Sequence, residues 1–267
     1  MDIFTHISSG IASATVVAAF TGKHPVRRWQ ILVAGAVGGA LPDIDAISMW
    51  SHFDSTFGKL FHLSHSGKII YGEKFWYSHH AFFHSIVAAL LFAVIFGWLS
   101  YSIYKISHRD SKDTFDVYCK NCFLLAIAFT TGYLIHLFGD MPTPASVWGG
   151  VNLFFPGSGY IGGSGKIWWW NNYDIYLLSV LCIAINGILL FTLKKKFQRT
   201  AILSIAALIL LLVEIQINTR QYNYAYSGNS TRYSEMEQQS KKEQERILGK
   251  PVYSAMEWLD KHLPVPF

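Results

Sequence analysis

Apolar residues fall into long blocks separated by short polar connections. Five of them, Ile31 to Trp50, Ala81 to Tyr104, Cys122 to Phe138, Ile175 to Leu193 and Ala201 to Ile217, approach the ~20 residues a helix needs to cross a hydrocarbon core. A sixth, Ile7 to Phe20, is interspersed with Ser and Thr; extended over Asp2 to Gly22 it also reaches across, at ~1.5 Å per residue. The start MDIFTH has an acid where a signal peptide has its basic region, so this block is read as a span. The pattern predicts an all-α, polytopic membrane helix bundle of about six transmembrane helices over residues 1–217. Residues 218–267 read as a polar tail, with a charged surface helix over Ser234 to Leu248, an amphipathic turn over Tyr253 to His262 and a Pro-rich end. Between the fourth and fifth spans, Met141 to Tyr173 is rich in Gly and Trp, which suits a folded cap at the lipid interface.

Composition agrees with this pattern and narrows the function. Of 267 residues, 51% are hydrophobic, 16% aromatic and only 15% charged. A soluble domain carries about 25% charged residues, so an ordinary cytosolic enzyme and a disordered chain are both excluded. Cys119, Cys122 and Cys182 form neither a disulfide framework nor a four-sulfur zinc site. The net charge of +5 is scattered rather than gathered in a tract, so nucleic acid is not an expected partner.

Lys and Arg set the expected orientation. Lys23, Arg27 and Arg28, then Lys105, Arg109, Lys112 and Lys120, then Lys194, Lys195, Lys196 and Arg199 follow the first, third and fifth spans. The opposite loops hold only Lys59, Lys68, Lys74 and Lys166. The basic side is therefore expected to be cytoplasmic, with both termini outside.

Ionisable groups within or at the ends of spans are costly to bury and need a partner or a function. His6 starts the first span, Asp43 and Asp45 end the second, His79, His80 and His84 start the third, and His136 and Asp140 end the fourth. An up-and-down path brings all of them to one side, opposite the basic loops. Imidazole and carboxylate together make a zinc-type donor set, and two neighbouring metals can share a carboxylate. His136 and Asp140 are four apart, so they share a helix face, and His80 and His84 have the same spacing. Asp43 and Asp45 are two apart and would diverge on a regular helix, but Pro42 allows an unwound end from which both reach inward. Gly35, Gly38 and Gly39 allow close helix approach. His24 and His108 read as solvated cytoplasmic residues, with His62 and His65 as reserve candidates.

The segments DIFTH, GGALPDID, HHAFFHS and GYLIHLFGDMPTP followed by VWGGVNLFFP resemble those of the LexA-binding, inner-membrane-associated hydrolases, also called membrane-bound metal-dependent hydrolases, over roughly residues 1 to 160. The resemblance implies a bacterial inner-membrane helical protein distantly similar to zinc-dependent phospholipase C. Carried over by position, it makes His6, Asp43, Asp45, His79, His84, His136 and Asp140 the metal-site residues. In this sequence His80 stands where the family has Arg, Ala81 where it has Gly and Phe83 where it has Thr, while Thr143 keeps a hydroxyl the family has. The change at His80 removes a bidentate phosphate contact.

The expected function is metal-dependent hydrolysis of a phosphoester in a membrane lipid or lipid-linked substrate at the extracytoplasmic face. It would use two or more Zn2+ ions, with Mn2+ as the alternative metal. Asp43, Asp45 and His80 are the expected catalytic groups, one Asp as bridge or base and His80 as orienter or proton donor. No GxSxG motif offers a serine route. Two rivals are a metal- or proton-linked transporter and a membrane scaffold with a structural metal.

Overall fold

The computed structural model describes residues 1–21, 28–107 and 115–263. Lys23, His24, Arg27, His108, Arg109, Lys112, the Cys119 side chain and the Pro-rich end lie outside the described residues. Among the described residues, six helices are long and apolar enough to span a membrane. They are α1 (Ile3–Phe20), α2 (Arg28–Ala40) with its continuation to Met49, α4 (Ile86–Ser107), α5 (Phe115–Asp140), α6 (Tyr173–Thr192) and α7 (Lys195–Asn218). A short α3 (Gly67–Gly72) and a long α8 (Tyr233–His262) complete the α-helices, and three isolated β-bridges are the extended pairings among the described residues. In lipid a helix satisfies its own backbone hydrogen bonds, which is why each apolar block takes this form.

The ends of these helices follow local chemistry. Asp2 caps α1, its carboxylate accepting from the Thr5 N–H and the Thr5 hydroxyl, both at 2.8 Å. After α2, Pro42 brings no N–H, and the chain tightens into a 3-10 helix over Leu41–Met49 rather than unwinding. A 3-10 helix repeats every three residues. One face, Pro42, Asp45 and Ser48, is buried in the core. A second, Asp43, Ala46 and Met49, lines a cavity. On the third, Ile44 and Ile47 are exposed, as apolar residues are where a helix faces lipid.

The third span begins later than the pattern predicts. Residues 78–81 form turns, Phe82–His84 a single 3-10 turn, and α4 starts only at Ile86, with the Ser85 hydroxyl accepting from the Ala88 N–H at 3.1 Å. His80 adopts a left-handed backbone conformation, φ 63°. The expected pairing of His80 and His84 on one helix face is therefore replaced by a turn that folds them together.

α1 sits at the centre, packed on α2, α5, α6 and α7, while α2 also packs on α5, α4 on α5 and α6 on α7. Glycine makes this closeness possible: a Cβ at Gly35 would collide with the Gly10 carbonyl, and one at Gly38 with the Phe129 carbonyl. Small buried residues such as Ala14, Ala18, Ala34, Ala88 and Ala128 surround Phe129, Tyr133 and Leu137. On the outside, α4 presents Val94 (70% exposed) and Ile106 (78% exposed), as a lipid-facing helix would.

The Gly/Trp segment is a folded cap. Bridges join Pro144 to Ser164 and Val151 to Ile161, and Trp148, Trp168 and Trp169 are buried with Tyr224 and Met236 of the tail. The tail is helical where expected, broken at Gly249 (φ 73°) between the two predicted segments. It is not merely a surface helix, since Met236, Ser240, Glu243 and Gln244 are buried. A buried ion pair, Arg220 Nη2 to Asp174 Oδ2 at 3.0 Å, ties the start of the tail to α6, and Gln244 Nε2 donates to Asp174 Oδ1 at 3.0 Å.

Candidate metal centre

Four elements deliver the donors to one end of the bundle: the first turn of α1, the 3-10 helix after α2, the turn before α4 and the last turns of α5. Asp43, His84, His136 and Asp140 each bring one ligand atom, and the four atoms lie within 4.8 Å of one another. The Nε2 atoms of His84 and His136 are 3.2 Å apart. Asp140 Oδ2 is 3.5 Å from the first and 3.1 Å from the second, and Asp43 Oδ1 is 3.6 and 3.5 Å from them. A tetrahedral ion with bonds of about 2.0–2.1 Å has ligand–ligand edges of about 3.3–3.4 Å, which these five separations bracket.

The partners of the other imidazole nitrogens decide the tautomers. His136 Nδ1 faces the Gly39 carbonyl at 2.7 Å and must carry the hydrogen, leaving a lone pair on Nε2. His84 Nδ1 lies 3.2 Å from Asp45 Oδ2, a charge contact without an aligned hydrogen bond. The His136 lone pair then faces His84 Nε2 beside two carboxylates, an arrangement that calls for a shared proton or a cation. Asp140 Oδ2 is buried and, despite its two imidazole neighbours, forms no aligned hydrogen bond. The residues therefore fit a divalent metal.

Charge leads to the same conclusion. Burial lowers the pKa of the His84 imidazole, but the carboxylates of Asp45, Asp140 and Asp43 outweigh it and hold the pKa well above its ordinary value. Without another cation the carboxylates are thus compensated by protonating a residue whose Nε2 is otherwise a donor to metal.

Three predicted ligands sit one step out. His6 Nε2 contacts Asp140 Oδ1 at 3.1 Å and its ring stacks on His136 with centroids 3.6 Å apart, so it backs the centre. The amino group of Met1 contacts the same oxygen. Asp45 Oδ1 receives His79 Nδ1 at 2.7 Å, while its other oxygen faces His84. His79, His80 and His84 make a second group of mutually close nitrogens beside the first, sharing His84. His80 Nδ1 faces the Gly150 carbonyl at 3.0 Å, and burial together with His79 and His84 holds its pKa well below the ordinary value, so this imidazole is neutral. Thr143 is spent locally, its hydroxyl donating to the Asp140 carbonyl at 2.6 Å. The reserve candidates His62 and His65 line a separate surface depression.

A cavity of about 1020 Å³ opens over the centre, with Asp43, His79, His80 and Asp140 among its lining. Asp43 is the carboxylate with appreciable exposure, 20% of its side chain, and so forms the accessible side of the centre. Sequence reasoning missed Tyr71, whose ring stacks on His79 at 4.7 Å, and Trp148, which stacks on His80 at 4.7 Å. It also missed the carbonyls of Gly39 and Gly150. Carbonyls have no sequence signature, and the trace of Trp148 was the aromatic richness of the 141–173 segment, to which Tyr71 does not belong.

Comparison with known proteins adds the family. Neither the curated proteins nor the solved structures contain a match to the chain. The description "YdjM inner membrane protein" fits residues 1–221, the portion that holds all six spans and the whole donor cluster. This chain therefore belongs to the YdjM inner membrane protein family.

Proposed function

We propose that the protein is a metal-dependent hydrolase of a phosphoester in a membrane lipid or lipid-linked molecule, acting at the extracytoplasmic face. The observation that carries this reading is the pair of imidazole Nε2 atoms of His84 and His136, 3.2 Å apart and flanked by Asp43 and Asp140, beneath an open cavity. Asp43, His84, His136 and Asp140 would hold the first ion, and the neighbouring His79 is placed for a second. Zinc suits imidazole and carboxylate donors, with manganese the alternative. When bound, the metal would lower the pKa of water towards ~7 and neutralise charge on the phosphoryl oxygens.

The chain's own groups supply the rest. Asp43, open to the cavity, accepts a proton from the attacking water. A P–O bond forms to the water oxygen, the bond to the leaving group breaks, and the proton returns to the leaving oxygen. His80, neutral with its hydrogen on Nδ1, begins as an acceptor at Nε2 and serves as donor only after taking that proton. Asp45 holds His84 and His79 in place. His6 holds Asp140.

Against the transporter reading stands the placement of the donors, which gather at one end of the bundle instead of running through its depth. A scaffold metal would be closed by protein on all sides, whereas Asp43 faces a cavity.

The test is metal analysis of purified protein with assays on phosphodiester and phosphomonoester lipids. Metal near one or two ions per chain, its loss in His136→Ala, and activity abolished by chelation and restored by zinc or manganese are expected. Activity that survives chelation would refute the mechanism. Reporter fusions after residue 263 and within the 108–114 connection are expected to read outside and inside, respectively.

A further inference from the structure

The cavity has two kinds of wall, and one of them lies beyond the family match, which ends at residue 221. Its floor is the metal centre, and the cap supplies Trp148 and Trp169. A further part of the wall, adjoining the cap, comes from the tail as Tyr226, Asn229, Ser230 and Tyr233. This tail wall is fixed in place. The Ser146 N–H donates to the Tyr226 carbonyl at 3.1 Å, the Gly228 N–H to the Ser146 carbonyl at 2.8 Å and the Tyr224 N–H to the Gly165 carbonyl at 2.8 Å. Gly165 allows the last approach, because a Cβ there would collide with the Ala225 backbone. Trp169 Nε1 donates to the Tyr226 hydroxyl at 3.3 Å, and the Tyr233 ring packs edge-on to Trp168 with centroids 4.9 Å apart.

We propose that this tail-built wall is a headgroup-selecting subsite, and that the headgroup it takes is a polyol phosphate carried on a lipid. Aromatic faces offer flat apolar surface for the C–H side of a polyol ring, while Asn229 and Ser230 supply neutral groups that both donate and accept, as hydroxyls require. Lys68 lines the rim and matches a phosphate. Met49 and Ile69 also line the cavity and are about half exposed, which gives an acyl chain an apolar way out towards the membrane. A quaternary ammonium headgroup would also suit aromatic rings and Glu73, but it offers no hydroxyl to Asn229 and Ser230. The inference rests on reading the metal centre as the reacting end of the cavity, yet it is tested by binding alone.

The experiment uses full-length, zinc-loaded protein in nanodiscs and follows tryptophan fluorescence. The probes are non-hydrolysable phosphonate analogues of dihexanoyl phosphatidylinositol and dihexanoyl phosphatidylcholine, with free inositol 1-phosphate as a chain-free control. The inositol lipid is expected to bind about fivefold or more tightly than the choline lipid, and free inositol phosphate more weakly than the inositol lipid. Tyr233→Ala and, independently, Asn229→Ala should at least halve the preference, while Tyr233→Phe keeps it. A smaller preference, a choline preference, free inositol phosphate binding as tightly as its lipid, or a preference untouched by both alanine variants would overturn the proposal. Since no turnover is read, absent hydrolysis would sink the enzymatic reading and leave this one standing, and the converse also holds.

Discussion

Asp45 tests the geometry of the centre most sharply, because the structure places it behind the candidate donors. Its Oδ1 is 2.7 Å from His79 Nδ1 and its Oδ2 is 3.2 Å from His84 Nδ1, whereas the four converging donors are Asp43, His84, His136 and Asp140. Asp45→Asn keeps the volume on the buried face of the 3-10 helix and removes the charge that faces His84 and accepts from His79. Losing a carboxylate that orients a ligating histidine weakens metal affinity by about 10–100-fold, or about 1.4–2.7 kcal/mol. His136→Ala, which deletes a direct donor, should weaken it by well over about 100-fold. Competition for zinc against a chelating dye, with stoichiometry from elemental analysis, separates the two classes. The reasoning fails if Asp45→Asn binds zinc like the wild type, or if it loses zinc as completely as His136→Ala.

Other parts of the fold make their own predictions. Arg220→Met strands the buried Asp174 carboxylate and should cost about 3–5 kcal/mol, seen as a lower melting temperature and faster proteolysis of the tail, and adding Asp174→Leu should recover most of that loss. Gly38→Ala pushes a methyl into the Phe129 carbonyl and should cost at least about 1–3 kcal/mol, with weaker zinc binding because His136 depends on the Gly39 carbonyl of the same helix. Asp2→Ala removes the α1 cap and should cost about 1 kcal/mol, whereas Asp2→Asn keeps the cap. Burial raises the Asp2 carboxyl above its ordinary value, so its charge opposes folding at neutral pH and the opposition fades as pH falls through the folded pKa. The stability gained by Asp2→Asn over wild type should therefore be greater at pH 7 than at pH 4, as thermal unfolding at the two pH values would show.

Much of the architecture was legible because lipid imposes a simple rule on the backbone. Six apolar blocks became six membrane-capable helices, and an up-and-down path alone brought His6, Asp43, Asp45, His136 and Asp140 to one end. Periodicity failed where the chain leaves the α-helix. From Leu41 to Met49 the repeat is three, so Asp43 and Asp45 serve two faces of one element. Before α4, a left-handed residue at His80 brings together histidines that helical spacing would have arranged differently. The Ser85 cap was the available sign of the late start, and the apolar run concealed it.

Sequence by itself determined which donor types were present, that they share one end of the bundle, and that the chain is a bundle. Only the tertiary structure decided which four atoms meet, which histidines stand behind them, and that the tail walls the cavity. The physical reason is one of scale. Hydrophobicity acts over a whole helix and is written in composition, while coordination is settled within a few ångströms by tautomer, carbonyl placement and helix-to-helix distance, none of which a linear pattern records.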